Sequence, residues 1–310
     1  MKTDETGIVL GSSEMMARVL ALARRYAALP RPLVLVGPTG AGKGLLARVI
    51  HAESGRRGAF VALAGGELAE SLYPDELRGH EAGAFTGASR RFPGAFERAH
   101  NGTLFADELP LWPLGAQKAI LRMVDEGAVT RHGSERDMSV SARVIFAANR
   151  HPDALVEAGT LLPDLRYRMR EFVIEVPPLA GRGADIAELA YAFLDRARTE
   201  FGQTGPVMFD PRALERLCTH SWPGNVRELC GVVEWAVVWA GVSASDSIGL
   251  AHLPSRLATS GERTVRPSAE TRRALSCWAF ARAGRNRREA AALLGVHPNT
   301  IDKHCRTACA

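Results

Sequence analysis

The chain has 310 residues, of which 46% are apolar and 24% charged. That length allows two domains and a small third, and the composition excludes a low-complexity or collagen-like polymer. No apolar run reaches the roughly 18–20 residues that would cross a bilayer; the best candidate, 232–242, is broken by Glu234. The opening MKTDETG lacks the basic and apolar regions of a secretory signal, so the cytoplasm is the expected compartment, without membrane insertion. The formal charge of +5 is unevenly spread: from Ser255 onward eleven Lys or Arg face four acids, a local +7 that leaves −2 for the rest. A near-neutral body with a basic tail points to a polyanion held at the C-terminus.

In chain order, residues 11–29 read as a helix opened by Ser12 or Ser13, with Met16, Val19, Leu20 and Leu22 on its apolar face. The run 33–36 reads as a buried strand leading into a glycine-rich loop, with a helix at 44–50. Further strands are expected at 103–106, 143–147 and 172–176. Strands alternating with helices imply a parallel sheet covered on both faces, an α/β class. After Pro177-Pro178 the strands are expected to stop. Helical spacing continues through Ile186, Leu189, Phe193 and Ala197, Asp210-Pro211 opens another helix, and Val226 to Val237 marks a third. The expected division is an α/β core over 1–177, a helical subdomain over 178–253, a linker over 254–267 and a terminal helical unit over 268–310. Cys218, Cys230, Cys277, Cys305 and Cys309 form no C-x-x-C pair and read as reduced thiols. His304, Cys305 and Cys309 match no usual zinc spacing.

Gly37-Pro38-Thr39-Gly40-Ala41-Gly42-Lys43 stands between a strand and a helix. Glycines let backbone N–H groups close on phosphate oxygens, the helix N-terminus adds positive potential, and Lys43 reaches the outer phosphates. The Ser or Thr that usually follows, a magnesium ligand, is Gly44 here. Some sixty residues downstream, Leu104-Phe-Ala-Asp107-Glu108 is an apolar strand ending in two carboxylates. Asp107 is suited to hold Mg²⁺, directly or through water, and Glu108 to polarise an attacking water. Together the two motifs point to nucleotide binding.

Between them lies Gly83-Ala84-Phe85-Thr86-Gly87-Ala88, a loop of small residues displaying one large apolar side chain. Here the sequence resembles the AAA+ activators of sigma-54 RNA polymerase, the bacterial enhancer-binding proteins, whose GAFTGA loop is matched letter for letter. Gly79-His80-Glu81, Gly94, Phe96, Glu97, Gly102, Thr103 and Leu104 match as well, and the resemblance runs from about Gly7 to the C-terminus. It implies an AAA+ ATPase core followed by an α-helical lid. Further roles follow from it: Asn149 as the sensor that reads the γ-phosphate, Arg168 as an arginine finger reaching a neighbouring subunit's ATP, and Arg227, in Trp222-Pro-Gly-Asn-Val-Arg227, as the lid's second sensor. Three positions depart from the family pattern. Leu162 stands where an upstream arginine is usual, Ala64 where an asparagine restrains the catalytic glutamate, and Ala148 where a threonine precedes the sensor.

In the tail, 286–304 reads as helix, glycine turn at Gly295, helix, with Ala290, Ala291 and Leu294 facing inward. This resembles the Fis-type helix-turn-helix of the same activators. It would offer Asn299, Thr300, Lys303 and His304 to bases and place Arg287, Arg288 and Arg306 near phosphates. The whole resemblance implies an ATP-hydrolysing activator, hexameric, that binds double-stranded DNA upstream of promoters and remodels the sigma-54 RNA polymerase holoenzyme's closed complex through the GAFTGA loop. Only about ten residues precede the first helix, so no N-terminal sensory domain is expected, and control falls to a separate regulatory protein or to expression level. The departures keep open an alternative, a DNA-binding regulator that binds nucleotide but hydrolyses it weakly or only in a mixed ring.

Overall fold

The computed structural model describes residues 11–169, 172–202, 208–243, 245–258, 269–294 and 296–305. Contacts divide the chain into two units. One is Arg18–Val176; the other joins the start of the chain, up to Ala17, to everything described from Pro177 onward.

The first unit is built on five parallel strands: β1 (Leu33–Val36), β2 (Phe60–Ala64), β3 (Thr103–Asp107), β4 (Arg143–Ala148) and β5 (Val173–Glu175), in the order β2-β3-β4-β1-β5. All six residues of β4 are buried, as are the first three of β1, which is why these strands read in sequence as unbroken apolar runs. Strand β2, at the edge, was not foreseen: its FVALA run is rich in alanine and only Val61 is fully buried. On one face Leu33, Leu35, Ile145, Ala147 and Ile174 pack against Ala23, Leu46, Ala47 and Ile50. On the other, Val34, Leu104, Ala106, Val144 and Phe146 pack against Ile120, Met123 and Leu165.

Two helices matter for the site. Helix α1 (Lys43–Glu53) begins inside the glycine loop. Helix α2 (Leu114–Glu126) buries Ala116, Gln117, Ile120 and Met123, the spacing of one helical face, and ends on Gly127 with φ 61°, whose N–H donates to the Met123 carbonyl at 3.0 Å. Arg143, at the start of β4, donates to the carbonyls of Ala27 (2.7 Å), Tyr26 (2.8 Å) and Arg31 (3.2 Å), closing the end of the first helix (Glu14–Ala27) onto the sheet. Burial, with the nearby Arg56 charge adding to it, lowers the Arg143 pKa to about 10.

The second unit packs helices Ala184–Glu200, Pro211–Thr219 and Asn225–Val242 around Trp222, whose indole N–H donates to the Leu217 carbonyl at 2.8 Å. Asp210 caps its helix by accepting from the Arg212 N–H at 2.8 Å. The expectation that strands end at Pro177-Pro178 is corrected: Met208–Phe209 and Ser247–Ile248 pair in parallel. Two-residue strands leave no periodic trace in a sequence, since the pairing partner creates them. The buried cluster also runs on to Leu257, in a short helix Ser255–Ala258, past the boundary at 253 expected from the sequence. The chain's start joins this unit through side chains: the Ser13 N–H and hydroxyl donate to Asp185 at 2.6 and 2.8 Å, and the Ser12 hydroxyl to Glu188 at 2.6 Å. Burial pushes the Asp185 carboxyl up; the Ser13 hydrogen bonds and the Arg182 charge oppose it.

Three further helices, Ala269–Arg282, Arg287–Leu294 and Pro298–Cys305, close on Ala279, Ala290, Ala291 and Ile301. Leu275, Trp278 and Leu294 also pack on the helical cluster before them. The Trp278 ring stacks 4.5 Å from that of Tyr191, and Arg282 lies over Tyr191 and faces Asp195 at 3.5 Å. No helix among the described residues is long and apolar enough to cross a membrane.

Candidate functional site

Parallel strands all point their carboxyl ends the same way, and loops leaving that edge are where α/β folds bind ligands. Strands β1, β4 and β3 lie side by side, with Val36 opposite Ala148 and Ala106 opposite Phe146. The glycine loop 37–43 therefore leaves β1, Asn149 leaves β4, and Asp107-Glu108 ends β3. Three sequence-distant motifs meet on one edge of one sheet.

The loop's geometry fits a polyphosphate. Gly40 and Gly42 have φ of 77° and 102°, which turns successive N–H groups inward before α1 begins, and a side chain at Gly42 would be strained whatever room it had. Pro38, Thr39 and Ala41 complete the turn, with the Ala41 N–H donating to the Pro38 carbonyl at 3.2 Å. Gly37 is tied to the neighbouring strand, its N–H donating to the Ala148 carbonyl at 3.1 Å. Lys43 curls back so that its ammonium donates to the carbonyls of Gly37 (2.8 Å) and Pro38 (3.1 Å). A Cβ on Gly44 would stand 3.6 Å from the Phe105 ring, an ordinary contact.

Asp107 accepts from the Glu108 N–H at 2.8 Å, and Glu108 adopts left-handed backbone, φ 53° and ψ 46°. Such backbone is uncommon for a non-glycine residue. Ala64 is the register partner of Asp107 on β2, and a Cβ on Gly66 would stand 3.3 Å from Glu108 Oε2. The hard oxygens of Asp107 and Glu108 beside a glycine loop suit a divalent cation carried with phosphate.

Arg168 lies on a short helix, α3 (Pro163–Met169), with an exposed side chain whose Nε faces Asp125 Oδ1 at 2.7 Å. Its neighbour Arg166 is held by Asp153 at 2.6 Å. Arg227 is exposed in the first turn of helix Asn225–Val242, in the other unit.

The loop 83–88 is folded on itself: Gly83 N–H donates to the Ala88 carbonyl at 2.8 Å, Ala88 N–H to the Phe85 carbonyl at 3.0 Å, and Ala84 N–H to Glu81 at 3.2 Å. Ala88 is buried, while Phe85, Thr86 and Gly87 are exposed. The Phe85 ring rests on His80, 4.9 Å between centroids, and near His132 at 5.9 Å. Beneath, Arg131 bridges Glu81 (2.6 Å) and Glu97 (2.9 Å). Burial works against its charge, but these two carboxylates outweigh it and hold its pKa above the usual value. The sequence did not assign His132 and Arg131 to the site. They come from a hairpin some fifty residues away, and only the loop's closure brings them together.

In the tail Ala290 and Ala291 are buried, Arg288, Asn299 and Lys303 are exposed, and Thr300 is half-buried. Arg287 is tied to Asp302 at 2.9 Å. Gly295, the His304 side chain and Arg306 lie outside the described residues.

Comparison with known proteins agrees with this geometry. Residues 9–175 match the family described as "Sigma-54 interaction domain", and 180–270 match "AAA+ ATPase lid domain". The chain belongs to the sigma-54-dependent transcriptional activators of AAA+ type. It is 40% identical over 236 residues to the Psp operon transcriptional activator of Escherichia coli (strain K12), spanning 76% of this chain and 73% of that protein. It is 38% identical over 299 residues to the transcriptional regulatory protein ZraR of Klebsiella oxytoca, spanning 94% and 67%. With the C4-dicarboxylate transport regulator DctD of Pseudomonas aeruginosa it shares 39% over 243 residues, about half of that protein's length (52%). Among solved structures, NtrX from Brucella abortus in complex with ADP superposes with a TM-score of 0.73 at 26% identity, over 98% of this chain and 70% of that one.

Proposed function

We propose that the chain hydrolyses ATP and spends the resulting change of loop position on the closed complex of sigma-54 RNA polymerase. The observation that carries this reading is the meeting of the Lys43 loop, the Asp107-Glu108 pair and Asn149 on one sheet edge. In this reading the loop N–H groups and Lys43 bind the phosphates, Asp107 would hold Mg²⁺, and Glu108 polarises the attacking water. Asn149 reads the γ-phosphate, and Arg227 serves as the lid's second sensor. Arg168 acts in trans, stabilising charge in a neighbouring protomer's site, so the working form is a ring, a homohexamer by family resemblance. The exposed Phe85 and Thr86 contact sigma-54. The tail holds upstream double-stranded DNA through Arg287, Arg288, Asn299, Thr300, Lys303, His304 and Arg306. Each lost phosphate contact lowers the salt slope of binding by about one unit.

A second reading, nucleotide binding with partner-dependent turnover, is favoured by one contact: Arg168 is paired within its own chain, to Asp125. ATP turnover across protein concentration, beside Glu108→Gln, decides between them. Cooperative turnover that disappears in the variant supports the self-sufficient ring. Nucleotide binding without turnover at any concentration supports the second reading.

A further inference from the structure

One buried amide links the two halves of the site described above. Gln117, in the first turn of α2, has no exposed surface. Its Nε2 donates to the Trp112 carbonyl at 3.0 Å and to the Thr160 carbonyl at 2.9 Å, and its Oε1 accepts from the Leu162 N–H at 3.0 Å. Trp112 in turn donates its indole N–H to the Asp107 carbonyl at 2.7 Å, the peptide unit that delivers Glu108 in its left-handed conformation. Leu162 and Thr160 lead directly into α3, and the Leu162 carbonyl accepts from the Arg166 N–H at 3.1 Å in that helix's first turn. Three side-chain hydrogen bonds therefore run without a break from the acid pair to the helix carrying Arg168.

The residues around this path are shaped for it. Trp112 is buried, and a Cβ on Gly65 would stand 2.6 Å from the indole Cδ1, so glycine there is what lets the ring reach Asp107. Helix α2 meets α3 a second time two turns later, through Asp125 and Arg168. Such contacts at both ends make α2 a strut between the cis carboxylates and the trans arginine. The amide uses both its donor and acceptor sides on this path, so an apolar residue of equal size keeps the packing and cuts the connection.

We infer that Gln117 is a positioning residue: it sets the arginine helix relative to Asp107-Glu108, so that the acid pair of one site and the finger offered to the next are placed together. The inference rests on the hydrolytic reading above. The test is a cycle of Gln117→Met and Arg168→Ala in the full chain, read by ATP turnover at saturating protein and by amide exchange. Gln117→Met is expected to lower kcat about tenfold or more while KM for ATP stays within about twofold, since misplacement rather than binding is at fault. In the Arg168→Ala background the same change is expected to cost no more than about twofold, because the two act through one element. Exchange at the Leu162 amide rises, and that of 103–107 does not. Independent, multiplying losses overturn the inference, as does unchanged exchange at Leu162. A wild-type chain without turnover instead removes the hydrolytic reading, and Arg168→Ala without effect removes the role of Arg168 in it; in either case the exchange arm still decides whether Gln117 holds the helix. Where Gln117→Met does not fold, Trp112→Phe removes the indole N–H donor together with part of the buried ring. It is expected to lower kcat without moving KM, and an unaltered kcat counts against the path.

Discussion

Arg131 joins the two carboxylates under the exposed loop, and replacing it by alanine isolates what that bridge contributes. Its contacts with Glu81 and Glu97 are 2.6 and 2.9 Å, and the two glutamate side chains are 35% and 22% exposed. A hydrogen bond to a charged partner contributes about 1.5–3 kcal/mol when buried, and partial exposure screens such pairs to a fraction of that. Glu97 keeps a second partner, Arg91, whereas the Glu81 carboxylate loses Arg131 outright. The sum is about 2 kcal/mol, confined to the segments that the bridge joins.

Two amides report it directly: Glu81 N–H donates to the His132 carbonyl at 3.0 Å, and His132 N–H to Gly79 at 2.9 Å. If local opening governs their exchange, about 2 kcal/mol corresponds to about thirty-fold faster exchange in Arg131→Ala. Peptides from β1, β3 and β4 should be unaffected. Exchange at Glu81 and His132 within about threefold of wild type would refute the reasoning, because the bridge would then be a surface pair of no consequence. Acceleration across the whole sheet would refute it differently, by making Arg131 a determinant of the fold rather than of the loop.

Three other outcomes are expected. Arg143→Leu leaves one buried and two part-buried carbonyls without this donor and should cost about 3 kcal/mol; that lowers the melting temperature by about 6–12 °C for a unit of this size, and a shift under 2 °C counts against the clamp. Burial pushes the Cys218 thiol up to about 12, and burial followed by the Glu234 hydrogen bond pushes Cys230 to about 11. Both should resist iodoacetamide at pH 8 until the protein unfolds, and rapid native labelling of Cys218 would contradict this. Arg282→Glu should reduce exchange protection of helix Ala269–Arg282 through repulsion by Asp195 and loss of the contact over Tyr191, and adding Asp195→Arg should restore part of it; no restoration would remove the ion pair from the docking.

What the sequence disclosed and what it hid divide along a physical line. The strands β1, β3 and β4 were legible because burial on both faces leaves an apolar run, and the glycine loop because phosphate binding constrains spacing. Strand β2 was not, since an alanine-rich edge strand carries no strong pattern. The Met208–Phe209 and Ser247–Ile248 pair was hidden for another reason: it exists only through contacts across the fold. Gln117 looks in sequence like any surface residue of an amphipathic helix, and only its complete burial marks it. Trp278 likewise gave no sign that the terminal helices rest on Tyr191.

The three departures from the family pattern take on a common meaning once placed. Ala148 is buried at the end of β4, and its carbonyl accepts from Gly37, so a backbone group anchors the glycine loop there. Leu162 packs on the sheet's second face, and its N–H is held by Gln117. Ala64 pairs in register with Asp107 and is followed by Gly65-Gly66, which admit the Trp112 ring and the Glu108 carboxylate at close range. At each position a polar side chain that the resemblance leads one to expect is replaced by an apolar one, and a main-chain hydrogen bond or a neighbouring ring occupies the space. Glu108 is carried on the Asp107–Trp112 turn, and Gln117 ties that turn to the start of the helix bearing Arg168.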